Sequence, residues 1–333
     1  SPLEIPLPVR CVQVSCGRKH ILLLMERNIV MSWGTGYFGQ LGHGDDSSWD
    51  SPRMINALEP RRLGCRVESV ACGGSHSAAL TDSGRVFMWG LNRSGQCGQG
   101  IVYRGKSDSV LEPRPVDFST SGTAGGDMGT VRSIVCGRSH SAALTSTGRV
   151  FTWGDASYGR LGLNDVKKTQ LVPAEVTEFR ACPVSVLTSG DFHMLALTME
   201  GEVYSWGYGA DGQTGHSTML NIRLPRRISL FNGMSVLSVA CGATWSSVIT
   251  KSGELYSFGY GDGGWLGVAP PALLPQLELD SLTPTQASTL PDSQSEIRCF
   301  DSRHSVLRPR LVDSLNQYWV RDVRSGAGHA IFF

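Results

Sequence analysis

Five stretches of nineteen residues align with one another without a gap: CGRKHILLLMERNIVMSWG at 16–34, CGGSHSAALTDSGRVFMWG at 72–90, CGRSHSAALTSTGRVFTWG at 136–154, SGDFHMLALTMEGEVYSWG at 189–207 and CGATWSSVITKSGELYSFG at 241–259. A sixth, SGAGHAIFF at 325–333, repeats the first half of the pattern. Within every full copy the first Gly and the aromatic before the last Gly stand sixteen residues apart, while the distance from one copy to the next varies between 52 and 84. A rigid unit is kept constant and its outer connections drift, which is the mark of a repeat architecture in which each copy packs on its neighbours.

The centre of the unit explains its shape. Position thirteen is Gly84, Gly148, Gly201 and Gly253, with Asn28 in the first copy; these residues accept the positive φ of a tight two-strand turn. Beyond the turn, alternation puts Met31 with Trp33, Phe87 with Trp89, Phe151 with Trp153, Tyr204 with Trp206 and Tyr256 with Phe258 on one strand face, which a neighbouring copy must cover. A glycine-rich loop follows, then a proline and a further apolar or β-branched strand: SPRMI at 51–55, EPRPV at 112–116, VPAEV at 172–176, LPRRI at 224–228 and RPRLV at 308–312. Forty glycines and 16 prolines spread along the chain suit many short strands joined by turns. Four-stranded units stacked radially form the blades of a propeller, which leaves only short edges exposed.

The motifs C-G-x-x-H-S-x-A-L, G-x-V-x-x-W-G and G-Q-L-G (39–42, with GRLG at 159–162 and GWLG at 264–267) resemble the regulator-of-chromosome-condensation repeat family across nearly the whole chain. The resemblance implies an all-β fold, a β-propeller of about six four-stranded blades closed by N- and C-terminal strands; with six first halves but five second halves in the sequence, the last blade is either completed by segment 3–9 or left incomplete. Seven blades, the number in the best-known family members, is the alternative. The whole of 1–333 then forms one domain, interrupted by a long irregular insertion at 268–308: the step from aromatic to proline takes 19 to 24 residues in most copies but 51 from Phe258 to Pro309. Its five prolines and its many Ser, Thr and Gln oppose regular structure.

Charge narrows the function classes. Thirty Lys plus Arg balance 29 Asp plus Glu with no long run of one sign, so the sequence carries no electrostatic arm for nucleic acid or anionic lipid, although a basic patch can still assemble in three dimensions. The longest apolar run near the start, 21–25, is too short for a membrane span or a signal core. Nine cysteines, an odd number with no C-x-x-C pair, argue against a disulfide framework and a thiolate zinc site and fit a reducing compartment, cytoplasm or nucleus. Cys16, Cys72, Cys136 and Cys241 fall at one repeated position and read as small buried hydrophobes. The chain starts at Ser1 rather than Met and reads as one module of a larger protein.

His20, His76, His140, His193 and His329 recur at one place in each copy, with Trp245 in the fifth. Recurrence in every blade points to packing and hydrogen bonding within that blade rather than to a metal ring or a general base, and no acidic residue recurs beside them. Trp33, Trp89, Trp153 and Trp206 are likewise structural repeat positions. Light sensing through clustered Trp, known in a plant relative, lacks its G-W-R-H-T signature here. No phosphate-binding loop, zinc motif or nucleophile elbow is present, so no catalytic residue, metal or cofactor is assigned.

The loops after each W-G or F-G end equivalent strands and gather on one rim, where a rigid scaffold presents function. That rim holds Tyr37, Phe38, Trp49, Tyr103, Arg104, Tyr158, Tyr208 and Trp265, aromatic and Arg types that dominate binding hot spots. The expectation is a monomeric scaffold or regulatory module that binds a protein, with no membrane and no direct nucleic-acid contact. Guanine-nucleotide exchange on Ran or another small GTPase, the founding member's activity, is the alternative. The founding member's wedge sequence is missing from the loops TGYFGQLG, LNRSGQCG, DASYGRLG, YGADGQTG and YGDGGWLG.

Overall fold

Each repeat folds as an antiparallel sheet in chain order. The first sheet comprises β1 (Cys11–Cys16), β2 (His20–Met25), β3 (Ile29–Gly34) and β4 (Trp49–Met54); the second, β5 (Val67–Cys72), β6 (His76–Thr81), β7 (Val86–Leu91) and β8 (Ser109–Pro115). The third comprises β9 (Val131–Cys136), β10 (His140–Thr145), β11 (Val150–Asp155) and β12 (Thr169–Glu175); the fourth, β13 (Val184–Ser189), β14 (His193–Thr198), β15 (Val203–Gly207) and β16 (Ile222–Arg227). The fifth comprises β17 (Val236–Cys241), β18 (Trp245–Thr250), β19 (Leu255–Gly259) and β20 (Val306–Leu311).

The structure is a computed structural model that describes residues 10–101, 108–119, 128–164, 168–261, 264–268, 305–315, 317–325 and 330–332. Segment 3–9, Tyr103, Arg104, His329 and most of the 268–308 insertion lie outside the described residues; residues 306–308 belong to β20. The chain divides into two compact units, Ser1–Leu187 and Thr188–Phe333, with the division inside β13. Against the expectation of about six four-stranded blades, the described residues form five four-stranded sheets and a two-stranded pair, β21 (Val323–Ser325) with β22 (Ala330–Phe332).

The hairpin follows the sequence pattern. Gly84, Gly148, Gly201 and Gly253 adopt φ between 77° and 87°, and Asn28 takes 60° in their place. The recurring prolines lie in the fourth, outermost strand. Pro52 falls in the register shift between the pairs Ser32↔Arg53 and Gly34↔Trp49. A residue without an N–H is tolerated at such a bulge on an edge strand.

Within each unit the core lies between successive sheets. Trp89 and Trp153 in the first unit and Trp206 and Phe258 in the second are fully buried, whereas Trp33 in the first sheet is half-buried. The same contrast runs along the first strands. Val67, Val70, Val131 and Ile134 are buried in β5 and β9, but their counterparts Cys11 and Val14 in β1 are exposed. Of the four repeated cysteines only Cys241 is buried; Cys72 and Cys136 are intermediate and Cys16 is exposed. The expectation of four buried thiols therefore holds in full only at Cys241, is met in part at Cys72 and Cys136, and fails at Cys16, because among the described residues no sheet precedes β1 to cover it.

One glycine shows why the Cys-Gly pair recurs. A Cβ on Gly73 would lie 2.1 Å from the His76 ring and 2.6 Å from the Gly137 carbonyl oxygen of the next repeat. Neither can withdraw, since the ring is wedged in the core and the oxygen is backbone. Gly73→Ala is expected to destabilise the protein by about 3 kcal/mol, read as a drop in the urea midpoint; an unchanged midpoint would contradict this packing.

Candidate functional site

His20, His76 and His193 reach into the following repeat rather than back into their own. The ring Nε2 of His20 lies 2.9 Å from Ser77 Oγ, that of His76 2.9 Å from Ser141 Oγ, and that of His193 2.8 Å from Ser246 Oγ. Each serine in turn donates to a glutamine carbonyl in the preceding W-G loop: Ser77 to Gln40 at 2.8 Å, Ser141 to Gln96 at 2.9 Å and Ser246 to Gln213 at 2.8 Å. Trp89 and Trp153 donate their indole N–H to the same Gln40 and Gln96 carbonyls at 2.9 and 3.0 Å. Sequential bonds of this kind tie one sheet to the next inside the core, where an unmade hydrogen bond is costly. Burial pulls the His20 pKa down to about 4 and those of His76 and His193 to about 3, with His20 adding to the fall at His76 and backbone contacts in the next repeat opposing it. These rings are neutral at physiological pH. Among the described residues no group of three or more His, Cys, Asp or Glu is placed to hold a metal ion.

The network also sets the W-G loops in place. Gln40, Gln96 and Gln213 are buried, and each side-chain oxygen accepts the N–H two residues earlier, from Phe38, Ser94 and Asp211. In the third repeat a buried Arg160 replaces glutamine; its Nε donates to the Ser157 carbonyl at 2.9 Å and its Nη1 lies 3.2 Å from Asp155. From the other side, Ser32, Thr152, Ser205 and Ser257 donate to the loop carbonyls of Leu41, Leu161, Thr214 and Leu266. Each of these loops thus has a fixed, buried base.

On these loops the sequence-expected residues divide. In the first unit Tyr37 is 73% exposed, Tyr158 49% and Phe38 37%. Trp49 is half-buried under the Arg53 guanidinium, 4.3 Å from its ring centre. In the second unit Tyr208 packs edge-on to Phe192 at 6.1 Å and Trp265 edge-on to Tyr260 at 5.5 Å, and both are half-buried. Sequence reasoning passed over Arg18 and Lys19, which are exposed on the β1–β2 connection. Thr35 N–H donates to the Lys19 carbonyl at 2.7 Å, so this connection lies beside the first W-G loop. The available signal was the variable pair between Gly and His in each repeat: RK, GS, RS, DF and AT.

Comparison with known proteins agrees with this architecture. A family model of the RCC1-like domain matches residues 1–229. The ultraviolet-B receptor UVR8 of Arabidopsis thaliana is 34% identical over 266 residues, covering 79% of this chain and 57% of the receptor. The E3 ubiquitin-protein ligase HERC2 of Homo sapiens is 33% identical over 261 residues, covering 78% of this chain but 5% of the ligase. The chain thus spans only part of these relatives, and the activities in their names belong to those whole proteins. Among solved structures, human WBSCR16 superposes with a TM-score of 0.71 at 23% identity, covering 98% of this chain and 87% of that one. Prp20p of Saccharomyces cerevisiae gives 0.72 at 19% identity, covering 97% of this chain and 68% of that one. At such identities the two structures speak for the fold alone. The repeat motifs, the all-β sheets they form and the family match over 1–229 together place this chain in the RCC1-like domain family.

Proposed function

We propose that the W-G end of this RCC1-like domain docks a protein partner, and that the domain serves as a scaffold or regulatory module rather than as a catalyst. The observation that carries this reading is the exposure of Tyr37, Phe38 and Tyr158 on loops whose bases are buried and hydrogen-bonded. Large aromatic side chains held out by a rigid support lose little entropy on binding and supply most of the energy at hot spots. Trp49, Tyr103 and Arg104 extend the assignment within the first unit, and Tyr208 and Trp265 carry a separate one in the second.

The finer architecture belongs to this proposal as well: a single domain over 1–333, about six blades, closed by terminal strands, and monomeric. The exposed Cys11, Val14 and Cys16 and the half-buried Trp33 support a further sheet of the same repeat type over β1. A cytoplasmic or nuclear setting fits the free thiols of the described residues, and no helix among those residues is long and apolar enough to cross a membrane.

Exchange on a small GTPase is the competing reading. Release of a fluorescent nucleotide from Ran and a panel of other small GTPases, with the protein at micromolar concentration, separates the two. The scaffold reading predicts release rates within about twofold of the uncatalysed rate. Acceleration of many-fold on any one of them would replace it.

A further inference from the structure

The rim of the first sheet carries its charges in order. Arg18 and Lys19 stand on the β1–β2 connection, at one side of the sheet. Tyr37 and Phe38 stand at the start of the β3–β4 connection. Asp45 and Asp46 stand further along that connection, before the outer strand β4, and Asp50 is the second residue of β4 itself. Two hydrogen bonds hold the three groups side by side: Thr35 N–H to the Lys19 carbonyl at 2.7 Å, and Gly36 N–H to Ser48 Oγ at 3.0 Å. The backbone order across the rim is therefore the Arg18–Lys19 connection, the base of the Tyr37–Phe38 loop, and the aspartate-bearing segment that leads into β4.

Arg18, Lys19, Asp46 and Asp50 are exposed and make no side-chain hydrogen bond or ion pair among the described residues. Asp45 accepts the Ser47 N–H, and Arg53 on β4 is turned onto the Trp49 ring. The free charges are therefore separated by exposed aromatic surface instead of neutralising one another. A surface that keeps opposite charges apart selects its ligand by pattern, since a partner with the wrong order meets like charges at both ends.

We propose that this rim recognises a short protein segment with acidic residues at one end, an apolar side chain in the middle and basic residues at the other. The acidic end lies against Arg18 and Lys19, the apolar side chain against Tyr37 and Phe38, and the basic end against Asp46 and Asp50. The inference rests on the docking assignment above and adds the chemistry of the partner. Nucleic acid is disfavoured because its uniform negative charge would meet the three aspartates.

Fluorescence anisotropy tests it with two labelled twelve-residue peptides of equal composition, one with acidic residues, a central Phe and basic residues in blocks, the other with the same charges interleaved. The block peptide is expected to bind at least about tenfold more tightly than the interleaved one at low salt. Replacing Arg18→Glu together with Lys19→Glu is expected to remove that preference and to create binding of a third peptide, basic at both ends, that the wild type does not hold. The gain of binding reads the charge pattern even if the variant is less stable.

Equal affinities for the block and interleaved peptides, a preference that survives the double substitution, or tighter binding of a duplex DNA oligonucleotide would overturn the proposal. If the peptides fail while truncation of Tyr37, Phe38 and Tyr158 to Ala still abolishes cross-linking of a partner, the charge inference falls and the docking assignment stands.

Discussion

Trp89→Ala is expected to cost about 4 kcal/mol of folding stability, and Trp33→Ala roughly half as much. The two tryptophans occupy the same repeat position. Trp89 is fully buried, its indole N–H bonds the Gln40 carbonyl, and Gly42 of the preceding loop approaches so closely that a Cβ there would lie 2.8 Å from the indole nitrogen. Truncation therefore leaves a cavity between two sheets and strips one donor from a carbonyl buried there. Trp33 lies half in solvent and has less contact to lose. Urea titrations of the two variants measure the contrast; equal losses would mean that the first sheet is covered as fully as the second.

Acid is expected to unfold the protein well above the range where its carboxylates titrate. A histidine whose folded pKa lies below its unfolded value stabilises the fold while neutral. Its contribution is complete above the unfolded value near 6.5 and is lost as pH falls toward the folded value. With folded values of about 4 for His20 and about 3 for His76 and His193, each ring forfeits roughly 2 kcal/mol between pH 7 and pH 5. Three such losses approach the whole stability of an ordinary domain. Glu175 works in a separate window. Although burial raises its pKa, hydrogen bonds from Arg149 and Arg180 more than offset this and hold it at about 2. Its contribution fades only as pH drops below the ordinary carboxylate value near 4.5. Circular dichroism from pH 7.5 to 3 is expected to show the main transition between about pH 6 and 4.5. His76→Gln, which is unable to take up a proton, is expected to move that transition to lower pH relative to its own stability at pH 7.5. A wild-type transition confined below pH 4 would contradict the neutral, buried rings.

Much of the fold is legible in the sequence because the hairpin is written in backbone chemistry. Positive φ at Gly84, Gly148, Gly201 and Gly253 favours glycine, with Asn28 in the first copy, and alternation around Phe87 and Trp89 declares a buried face. Both are local rules with short reach. The direction of the histidine bonds is not local, since recurrence of His20, His76 and His193 does not say which neighbour receives them. The clue lay one residue on, in Ser77, Ser141 and Ser246, which present the hydroxyls. In the fifth repeat Trp245 takes the histidine place and its indole N–H has no hydrogen-bond partner among the described residues, so the chain of bonds changes character there.

The candidate site is legible only in part for a physical reason. Sequence places Tyr37, Tyr158, Tyr208 and Trp265 on equivalent loops, but exposure depends on which aromatic stands nearby. Tyr208 and Trp265 have Phe192 and Tyr260 to lean on and are half-buried, whereas Tyr37 stands out in solvent. Arg18 and Lys19 belong to no motif. Their importance arises from the Thr35 to Lys19 bond that brings one connection beside another, which spacing alone does not reveal.

The most direct test of the central claim is site-specific photo-cross-linking. A benzoylphenylalanine at position 37 or 158 samples the W-G end of the first unit, and one at position 27, on the β2–β3 turn, samples the other end of the same strands. The account predicts a discrete cross-linked partner band from positions 37 and 158, lost when Phe38→Ala is added, and none from position 27. A band from position 27 alone, or the same band from all three positions, would contradict it.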